Sequence, residues 1–281
     1  MDSIVEQVAQ CLVQAGSTFR EDQKEVYRRA IDKEPKTSSC WVMRQILDNA
    51  LVAEKNKSPL CDDTGIPHLF LEIGKSRQVT GEMLELIQEG VALGLRTLPG
   101  RPMAVMGDDY NRIDQSGGLD SDPGALVSSP ILIKLVDEDV LRLTIMMFGG
   151  GPAIRGITQH VFHKHSVQAV IDEIVTRAIP AVAQLGCSPC TLAVGIGRSQ
   201  FEATSMMMEA MVKGNYNEQT EFEKNITDKV NESNVGALGL GGKTSVLATF
   251  AKIGPQRASG VRIVALRPCC CIEPRRASVE L

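Results

Sequence analysis

The sequence predicts an α+β fold in a single domain, with a largely helical N-terminal third and a mixed or antiparallel sheet packed with helices. In the first hundred residues, apolar side chains recur at helical spacing, as in Val42, Ile46 and Ala50. Later in the chain, short apolar runs bounded by turn-forming residues replace that pattern. With 281 residues, 43% of them hydrophobic, and no repeat or clean linker, we predict one domain over residues 1–281.

The N-terminal elements follow from caps and periodicity. Ser3-x-x-Glu6 is a capping box that opens the first helix. Residues 68–73 are apolar enough for a short strand, and Thr80 caps the helix that follows it. A stretch rich in Gly, Asp and Ser over residues 107–124 indicates a loop.

The remaining elements alternate between apolar runs and helical patterns. Residues 131–136 and 140–148 are predicted strands, and Asp137-Glu138-Asp139 between them favours a hairpin. Further strands are predicted over residues 191–197, 245–250 and 261–266, and further helices over residues 166–178, 199–211 and 217–232. The last of these helices is polar and charged, so we expect it to be exposed.

Composition excludes several classes of function. A net charge of −4 and an aromatic content of 4% argue against nucleic-acid binding. No apolar run approaches the roughly 18 residues that a membrane helix needs. The N-terminal residues carry acid early and lack a basic region, which argues against a signal peptide. We therefore expect a cytoplasmic protein.

Eight cysteines in a cytoplasmic protein do not predict a disulfide framework. Cys61, Cys187 and Cys271 each have Gly or Pro within a few residues, which indicates loops. Thiolates on loops whose backbone amides reach the sulfides are typical of an iron–sulfur site. Cys11 and Cys40 lie in helical patterns and are predicted to be small buried hydrophobes.

Reasoning from the residues alone leaves alternatives open. The three cysteines can be unrelated buried thiols, or Cys187-x-x-Cys190 can bind zinc together with part of the run 269–271. An exposed cluster can also serve a redox or iron sensor without catalysis. Metal analysis separates these alternatives, because zinc is colourless whereas a [4Fe–4S] centre is brown.

Two other motifs are weaker. Residues 239–244 match the end of a phosphate-binding loop, but Ala237 stands where that motif needs Gly, and a strand rather than a helix is predicted to follow. His160, His163 and His165 crowd together, and positions 160 and 163 can share a helix face. We interpret these histidines as a surface cluster rather than a metal site.

Taken together, the cysteine settings resemble one family, the iron–sulfur hydro-lyases of the class I fumarase and L-tartrate dehydratase type, in their alpha subunit or N-terminal domain. The matching runs are Cys61-Asp62-Asp63-Thr64-Gly65, Cys187-Ser188-Pro189 with Val194-Gly195-Ile196-Gly197, Gly149-Gly150-Gly151, Leu240-Gly241-Gly242-Lys243-Thr244, and Cys271 with Arg275-Arg276. They occur in the family's order over essentially the whole chain.

The resemblance implies a hydro-lyase that reversibly dehydrates a small hydroxy-dicarboxylate, such as a tartrate-like or malate/fumarate-like compound. Cys61, Cys187 and Cys271 would hold a [4Fe–4S] cluster whose fourth iron acts as a Lewis acid. Asp63 would assist proton transfer. In this family, further catalytic groups lie on a second domain or beta subunit, so the resemblance implies a beta subunit as partner, and also homo-oligomers.

Substrate-binding residues are implied as well. Arg101 is the best match to an arginine that clamps a carboxylate, and backbone at Gly149, Gly150 and Gly151 would line the pocket. Asp62 stands where the family has glutamine, and it would repel a dianionic substrate unless it is protonated or paired. The residues after the glycines are closer to the tartrate dehydratase pattern.

Overall fold

The computed structural model describes residues Ser3–Leu281, which form two compact units. The first unit contains the described residues up to Thr18, Ala50–Gly149 and Arg275–Leu281. The second unit contains Phe19–Asn49 and Gly150–Pro274. The chain therefore passes more than once between the units, and each of them is assembled from separated segments.

The α+β class predicted from the sequence is confirmed. The helices are α1 (Ile4–Ser17), α2 (Glu21–Lys33), α3 (Thr37–Asn56), α4 (Gly81–Thr97), α5 (Asp109–Asp114), α6 (Gly150–Ala153), α7 (Val167–Leu185), α8 (Gln200–Lys213) and α9 (Glu221–Asn231). The strands are β1 (Ile66–Gly74), β2 (Leu132–Val136), β3 (Leu141–Phe148), β4 (Ile157–Phe162), β5 (Cys190–Gly197), β6 (Val246–Ile253), β7 (Val261–Cys269) and β8 (Arg275–Glu280). The prediction of a single domain over residues 1–281 stays a prediction.

The first unit is built on a mixed four-stranded sheet in the order β2-β1-β3-β8. Strand β1 is parallel to β2 and antiparallel to β3, and β8 is antiparallel to β3. The capping box of Ser3 and Glu6 opens α1 as predicted. Leu12 of α1 and Ile87 of α4 are fully buried in one core with strand residues such as Leu71. Burial of these apolar faces stabilises the unit.

The predicted hairpin between β2 and β3 is wrong. Both strands pair with β1, on its opposite edges, and not with each other. Strand β1 contains the buried run Leu69–Leu71, whereas Ile133 and Leu135 of β2 are exposed. The largely buried strands β1 and β3 take the two central positions, and β2 takes an edge. The burial gained by pairing β1 with β3 outweighs the turn signal at residues 137–139.

The second unit contains a mixed sheet in the order β4-β7-β5-β6, with β5 parallel to β6 and antiparallel to β7. Every residue of β5 is buried. Helices α7, α8 and α9 pack against this sheet. The edge strand β4 was not predicted, and it places His160 in a strand, so the helix face suggested for His160 and His163 is wrong. The polar residues 158–160 interrupt its apolar residues, so it lacks the apolar run of a buried strand.

Helix α9 is not the exposed helix that its composition suggested. Ile226 and Val230, four positions apart, are fully buried in the core of the second unit, and Glu223 is buried as well. Residues i and i+4 share a helix face, so two apolar side chains are enough to dock a helix of otherwise polar sequence. Along Ser3–Leu281, no helix combines the length and apolarity required to cross a bilayer.

Candidate active site

The Cys61 loop connects α3 to β1 and belongs to the first unit. Leu60 is buried, and its backbone N–H donates to the carbonyl oxygen of Gly16 at 3.0 Å. This anchor precedes Cys61, which is half-buried and free of disulfide bonding. The backbone of the residue before Cys61 is therefore held in place by this hydrogen bond and by burial of the Leu60 side chain.

Arg275 of β8 holds the part of this loop that follows Cys61. Its guanidinium is buried, and Nη1 donates to the carbonyl oxygens of Asp63 at 2.9 Å and Thr64 at 3.1 Å. Gly65 follows with a φ of +84°, and a Cβ there would lie 2.5 Å from Nη2 of Arg275. Glycine at this position lets the backbone take a left-handed conformation close to the guanidinium.

Asp62 and Arg101 lie near Cys61 in the first unit. The Cys61 thiol donates to Oδ1 of Asp62 at 3.3 Å, and Nη1 of Arg101 lies 3.9 Å from Oδ2 of Asp62. The thiol hydrogen bond, followed by the charge of Arg101, lowers the pKa of Asp62. Asp62 is therefore paired with a cationic side chain. Arg101 is exposed, and its carbonyl oxygen accepts from the Thr64 hydroxyl at 3.3 Å.

Asp63 is half-buried on the same loop. Because Arg275 holds its carbonyl oxygen, the backbone that carries this carboxyl is restrained. The structure thus brings Cys61, Asp62 and Arg101 together, and Asp63 follows them on the same loop.

The three glycines are divided between the units. Gly149 is buried after β3 in the first unit, whereas Gly150 and Gly151 are exposed at the start of α6 in the second. A Cβ at Gly151 would meet nothing within 4 Å. The space beside the Gly151 backbone is therefore not filled by other residues, and a ligand can approach this backbone closely.

The Cys187 turn connects α7 to β5 in the second unit. Gly186 takes a φ of +79° after α7, and Cys187 is exposed. The next residue, Ser188, is buried, and its hydroxyl donates to the carbonyl oxygen of Gly236 at 2.6 Å. The backbone N–H of Leu238 donates in turn to the carbonyl oxygen of Ser188 at 2.9 Å. The exposed Cys187 thiol therefore lies next to a residue whose side chain and backbone are both hydrogen-bonded to residues 236–238.

The Cys271 turn follows β7 and also belongs to the second unit. Its backbone closes through a hydrogen bond from the N–H of Glu273 to the carbonyl oxygen of Cys270 at 3.0 Å. The phenol of Tyr27 donates to the carbonyl oxygen of Cys271 at 2.5 Å. Cys271 is half-buried.

Three of the other five cysteines differ from these in burial, whereas Cys40, predicted to be buried, and Cys270 are half-buried like Cys61 and Cys271. Cys11, Cys190 and Cys269 are buried, and burial raises the pKa of Cys11 and of Cys269 to about 12 and that of Cys190 well above its usual value. Burial therefore disfavours their thiolates. Cys61, Cys187 and Cys271 are partly or fully accessible thiols on loops, which is the donor set that a thiolate-bound iron–sulfur cluster requires.

Other metal sites receive less support. Within the described part of the chain, no three His, Cys, Asp or Glu side chains are grouped closely enough to hold a single metal ion. His160 is exposed, as a surface cluster requires. Cys187 lies on an exposed turn, whereas Cys190 lies inside the sheet. This difference in burial does not favour a zinc site shared by the two thiols.

Sequence reasoning missed the groups that fix these loops. Arg275 is part of a quoted motif, but nothing in the sequence indicates its contact with Asp63, which lies 212 positions away. Ser188 likewise stands in a quoted motif, but its contact with Gly236 has no sequence signal, and Tyr27 lies in no quoted motif. Such residues contact backbone atoms far away in sequence, so only the folded chain reveals them.

Comparison with known proteins identifies the family. The profile of the fumarate hydratase (Fumerase) family matches residues 5–280. The chain therefore belongs to this family, whose members named below are hydro-lyases.

Curated relatives agree with that assignment. One is a putative L(+)-tartrate dehydratase subunit alpha of Methanocaldococcus jannaschii, 28% identical over 277 residues, covering 95% of this chain and 92% of the relative. The L(+)-tartrate dehydratase subunit alpha of Escherichia coli K12 is 21% identical over 274 residues, covering 96% and 88%. A putative fumarate hydratase class I of Geobacillus stearothermophilus is 22% identical over 275 residues, which is 90% of this chain but only 50% of the relative.

Proposed function

We propose that this chain is the alpha-type subunit of a hydro-lyase that adds water to, or removes it from, a small hydroxy-dicarboxylate. Cys61, Cys187 and Cys271 would hold a [4Fe–4S] cluster. The observation that carries the proposal is the family match over residues 5–280, in which these three cysteines are the accessible loop thiols of the resembling motifs. When bound, the cluster would supply Lewis acidity toward the departing hydroxyl group.

The residues of the chain have distinct tasks under this proposal. The carboxyl of Asp63, whose backbone is restrained by Arg275, would move a proton at the substrate. Arg101 would contact one substrate carboxylate, since its exposed guanidinium is only loosely paired with Asp62 at 3.9 Å. Asp62 would orient Arg101 through their ion pair. Backbone at Gly149, Gly150 and Gly151 would line the substrate pocket.

The names of the relatives support a partner. Two of them are named as alpha subunits of L(+)-tartrate dehydratases, one as a putative one, and this chain spans 92% and 88% of their lengths. The chain spans only half of the putative class I fumarate hydratase. We infer that a beta subunit completes the enzyme, that the assembly forms homo-oligomers of such pairs, and that the substrate is closer to tartrate than to malate. We also propose a cytoplasmic location, because none of the eight cysteines is in a disulfide.

The experiment that tests the cluster is anaerobic purification followed by quantification of iron and acid-labile sulfide. We expect about four irons per chain in the wild type, and their loss in Cys61→Ala, Cys187→Ala and Cys271→Ala. Each variant has a matched control in a cysteine outside the proposed ligand set. The controls are Cys40→Ala, Cys190→Ala and Cys270→Ala respectively, and each should keep its iron.

The outcomes discriminate between the functions. The proposal is supported if iron is bound as expected and the chain gains hydration activity toward a hydroxy-diacid only after a beta-type subunit is added. Iron bound without activity in the presence of such a subunit favours a redox or iron sensor. Zinc in place of iron, retained by Cys187 and Cys190 together, would overturn the proposal and favour a structural role.

A further inference from the structure

We propose that buried side chains in the segment Arg20–Ser39, here called the support segment, position the cysteine loops of the second unit independently of each other. Tyr27 would position Cys271, and Glu34 would position Cys187. The inference rests on the proposed function, since it takes both cysteines as ligands. It goes beyond that function by assigning roles to residues that match no motif of the site.

The Cys271 turn is held by one face of α2. The phenol of Tyr27 donates to the carbonyl oxygen of Cys271 at 2.5 Å, and Nε2 of Gln23 donates to that of Ile272 at 3.2 Å. Tyr27 is 0% exposed and Gln23 is 1% exposed. Residues four apart lie on the same helix face, so α2 presents both donors to consecutive carbonyl groups.

These hydrogen bonds act on backbone oxygens and do not involve the cysteine thiol. The hydrogen bond to Ile272 is buried and that to Cys271 is partly buried. A carbonyl group that loses its donor leaves the turn with one restraint fewer, so the turn can shift. The thiol of Cys271 would move with its backbone. Tyr27 is thus suited to fix where that thiol points, without touching a substrate.

The Cys187 turn is held less directly, through the glycine-rich loop over residues 236–244. Oε2 of Glu34 accepts from the backbone N–H groups of Lys243 at 2.9 Å and Thr244 at 3.0 Å. Its Oε1 accepts from the N–H of Lys36 at 3.1 Å. The Glu34 side chain is buried, so both carboxylate oxygens depend on these three donors.

Ser39 adds two hydrogen bonds to the same loop. Its hydroxyl donates to the carbonyl oxygen of Gly241 at 2.5 Å and accepts from the N–H of Ala237 at 3.1 Å. The loop reaches Ser188 through Gly236 and Leu238. A continuous path of hydrogen bonds and loop backbone therefore leads from the support segment to the residue next to Cys187.

The two paths contain different residues. The Tyr27 path ends on the carbonyl group of Cys271, whereas the Glu34 path runs through residues 236–244 to Ser188. Breaking the Tyr27 path should make the backbone at Cys271 more mobile and leave that at Cys187 unchanged, and breaking the Glu34 path should do the reverse. A general loss of stability would instead affect both cysteines together.

The test measures iodoacetamide alkylation of each cysteine in the reduced, metal-free chain by peptide mass spectrometry, with fragmentation that resolves Cys270 from Cys271. Tyr27→Phe removes the hydroxyl and keeps the ring. Its matched control is Tyr216→Phe, because Tyr216 is also buried but its hydroxyl pairs with Thr191 at 2.6 Å. Tyr27→Phe should raise the alkylation rate of Cys271 about fivefold, as expected for one hydrogen bond, and leave Cys187 unchanged.

Glu34→Gln gives the reciprocal test. An amide keeps only one acceptor oxygen and places an NH₂ group against a backbone N–H, so at least one of the three hydrogen bonds is lost. Because Cys187 is already exposed, the measurement there is amide hydrogen exchange over residues 186–188, whose rate should rise about fivefold, with the alkylation rate of Cys271 unchanged. The exposed Glu232→Gln is the matched control and should change neither rate.

Failure of this inference is distinguishable from failure of the proposed function. Equal changes at both cysteines, or none at either, would overturn the positioning roles even if the wild type binds iron. The expected reciprocal pattern in a wild-type chain that takes up no iron would overturn the cluster and leave the roles of Tyr27 and Glu34 standing. If the positioning roles and the proposed cluster are both correct, iron release to a chelator should be faster in Tyr27→Phe than in Tyr216→Phe.

Discussion

Nη1 of Arg275 donates a hydrogen bond to the carbonyl oxygen of Asp63 at 2.9 Å. The C-terminal strand of the first unit thereby holds the loop that carries Cys61 and Asp63. A buried guanidinium is costly unless its N–H groups are satisfied, and two backbone carbonyls accept from this one. The same contact thus stabilises the unit and restrains its proposed proton-transfer residue.

Replacing Arg275 should destabilise the first unit. Arg275→Gln would leave the Asp63 and Thr64 carbonyls without their charged donor, at a cost of about 3 kcal/mol or more. Arg77→Gln is the matched control, since Arg77 is exposed on the same unit and its loss should cost at most about 0.5 kcal/mol. Urea unfolding measures both. Equal midpoints for the two variants would contradict the role of Arg275.

Gly65 should be irreplaceable for steric reasons. In Gly65→Ala the new Cβ would lie 2.5 Å from Arg275 Nη2 and 3.0 Å from the Phe148 carbonyl oxygen, at a φ of +84°. We expect a loss of about 2 kcal/mol or more in the free energy of unfolding. Gly81→Ala, where a Cβ meets nothing within 4 Å, should be neutral or slightly stabilising. Thermal unfolding of the pair gives the comparison.

Asp63→Asn should remove activity without removing the cluster. Loss of a group that transfers a proton lowers kcat by about 10²–10⁴-fold. The control Asp137→Asn changes an exposed carboxylate of the same unit and should keep wild-type kcat. Steady-state hydration assays on the complex with a beta-type subunit, together with iron analysis, make the test. If Asp63→Asn keeps the wild-type kcat, the Asp63 carboxyl does not transfer the proton.

Cys11 should make the protein less stable in alkali. Burial raises the pKa of Cys11 from 9.0 to about 12, against a smaller opposing effect of the Ile145 backbone. Above pH 9 the unfolded thiol loses its proton while the native thiol keeps it, so stability falls with rising pH through this window. The slope is at most about 1.4 kcal/mol per pH unit for one thiol.

The variant Cys11→Ala isolates that contribution. At pH 7.5 it should be less stable than the wild type, because it leaves a cavity in the core. By pH 10.5 the difference should narrow by about 2 kcal/mol, since only the wild type has this thiol to titrate. Urea unfolding at the two pH values measures the difference. A constant difference would show that the native pKa is not raised.

Much of the local structure followed from the sequence. The Ser3–Glu6 capping box, the helices of the first hundred residues and the strand at residues 68–73 were all predictable, because caps and periodicity are properties of neighbouring residues. Strand pairing was not. Which strands become central depends on burial in the folded sheet, where β1 pairs with β3 as well as β2, so the local turn signal at residues 137–139 gave the wrong pairing.

The sequence by itself determined which residues belong to the candidate site. Cys61, Asp63, Cys187 and Cys271 stand in motifs whose chemistry and resemblance single them out. Only the tertiary structure decided how they are held. The donors from Arg275, Tyr27 and Glu34 act on backbone atoms remote in sequence. Backbone atoms are the same in every residue, so such contacts leave no pattern in the sequence until folding brings the two segments together.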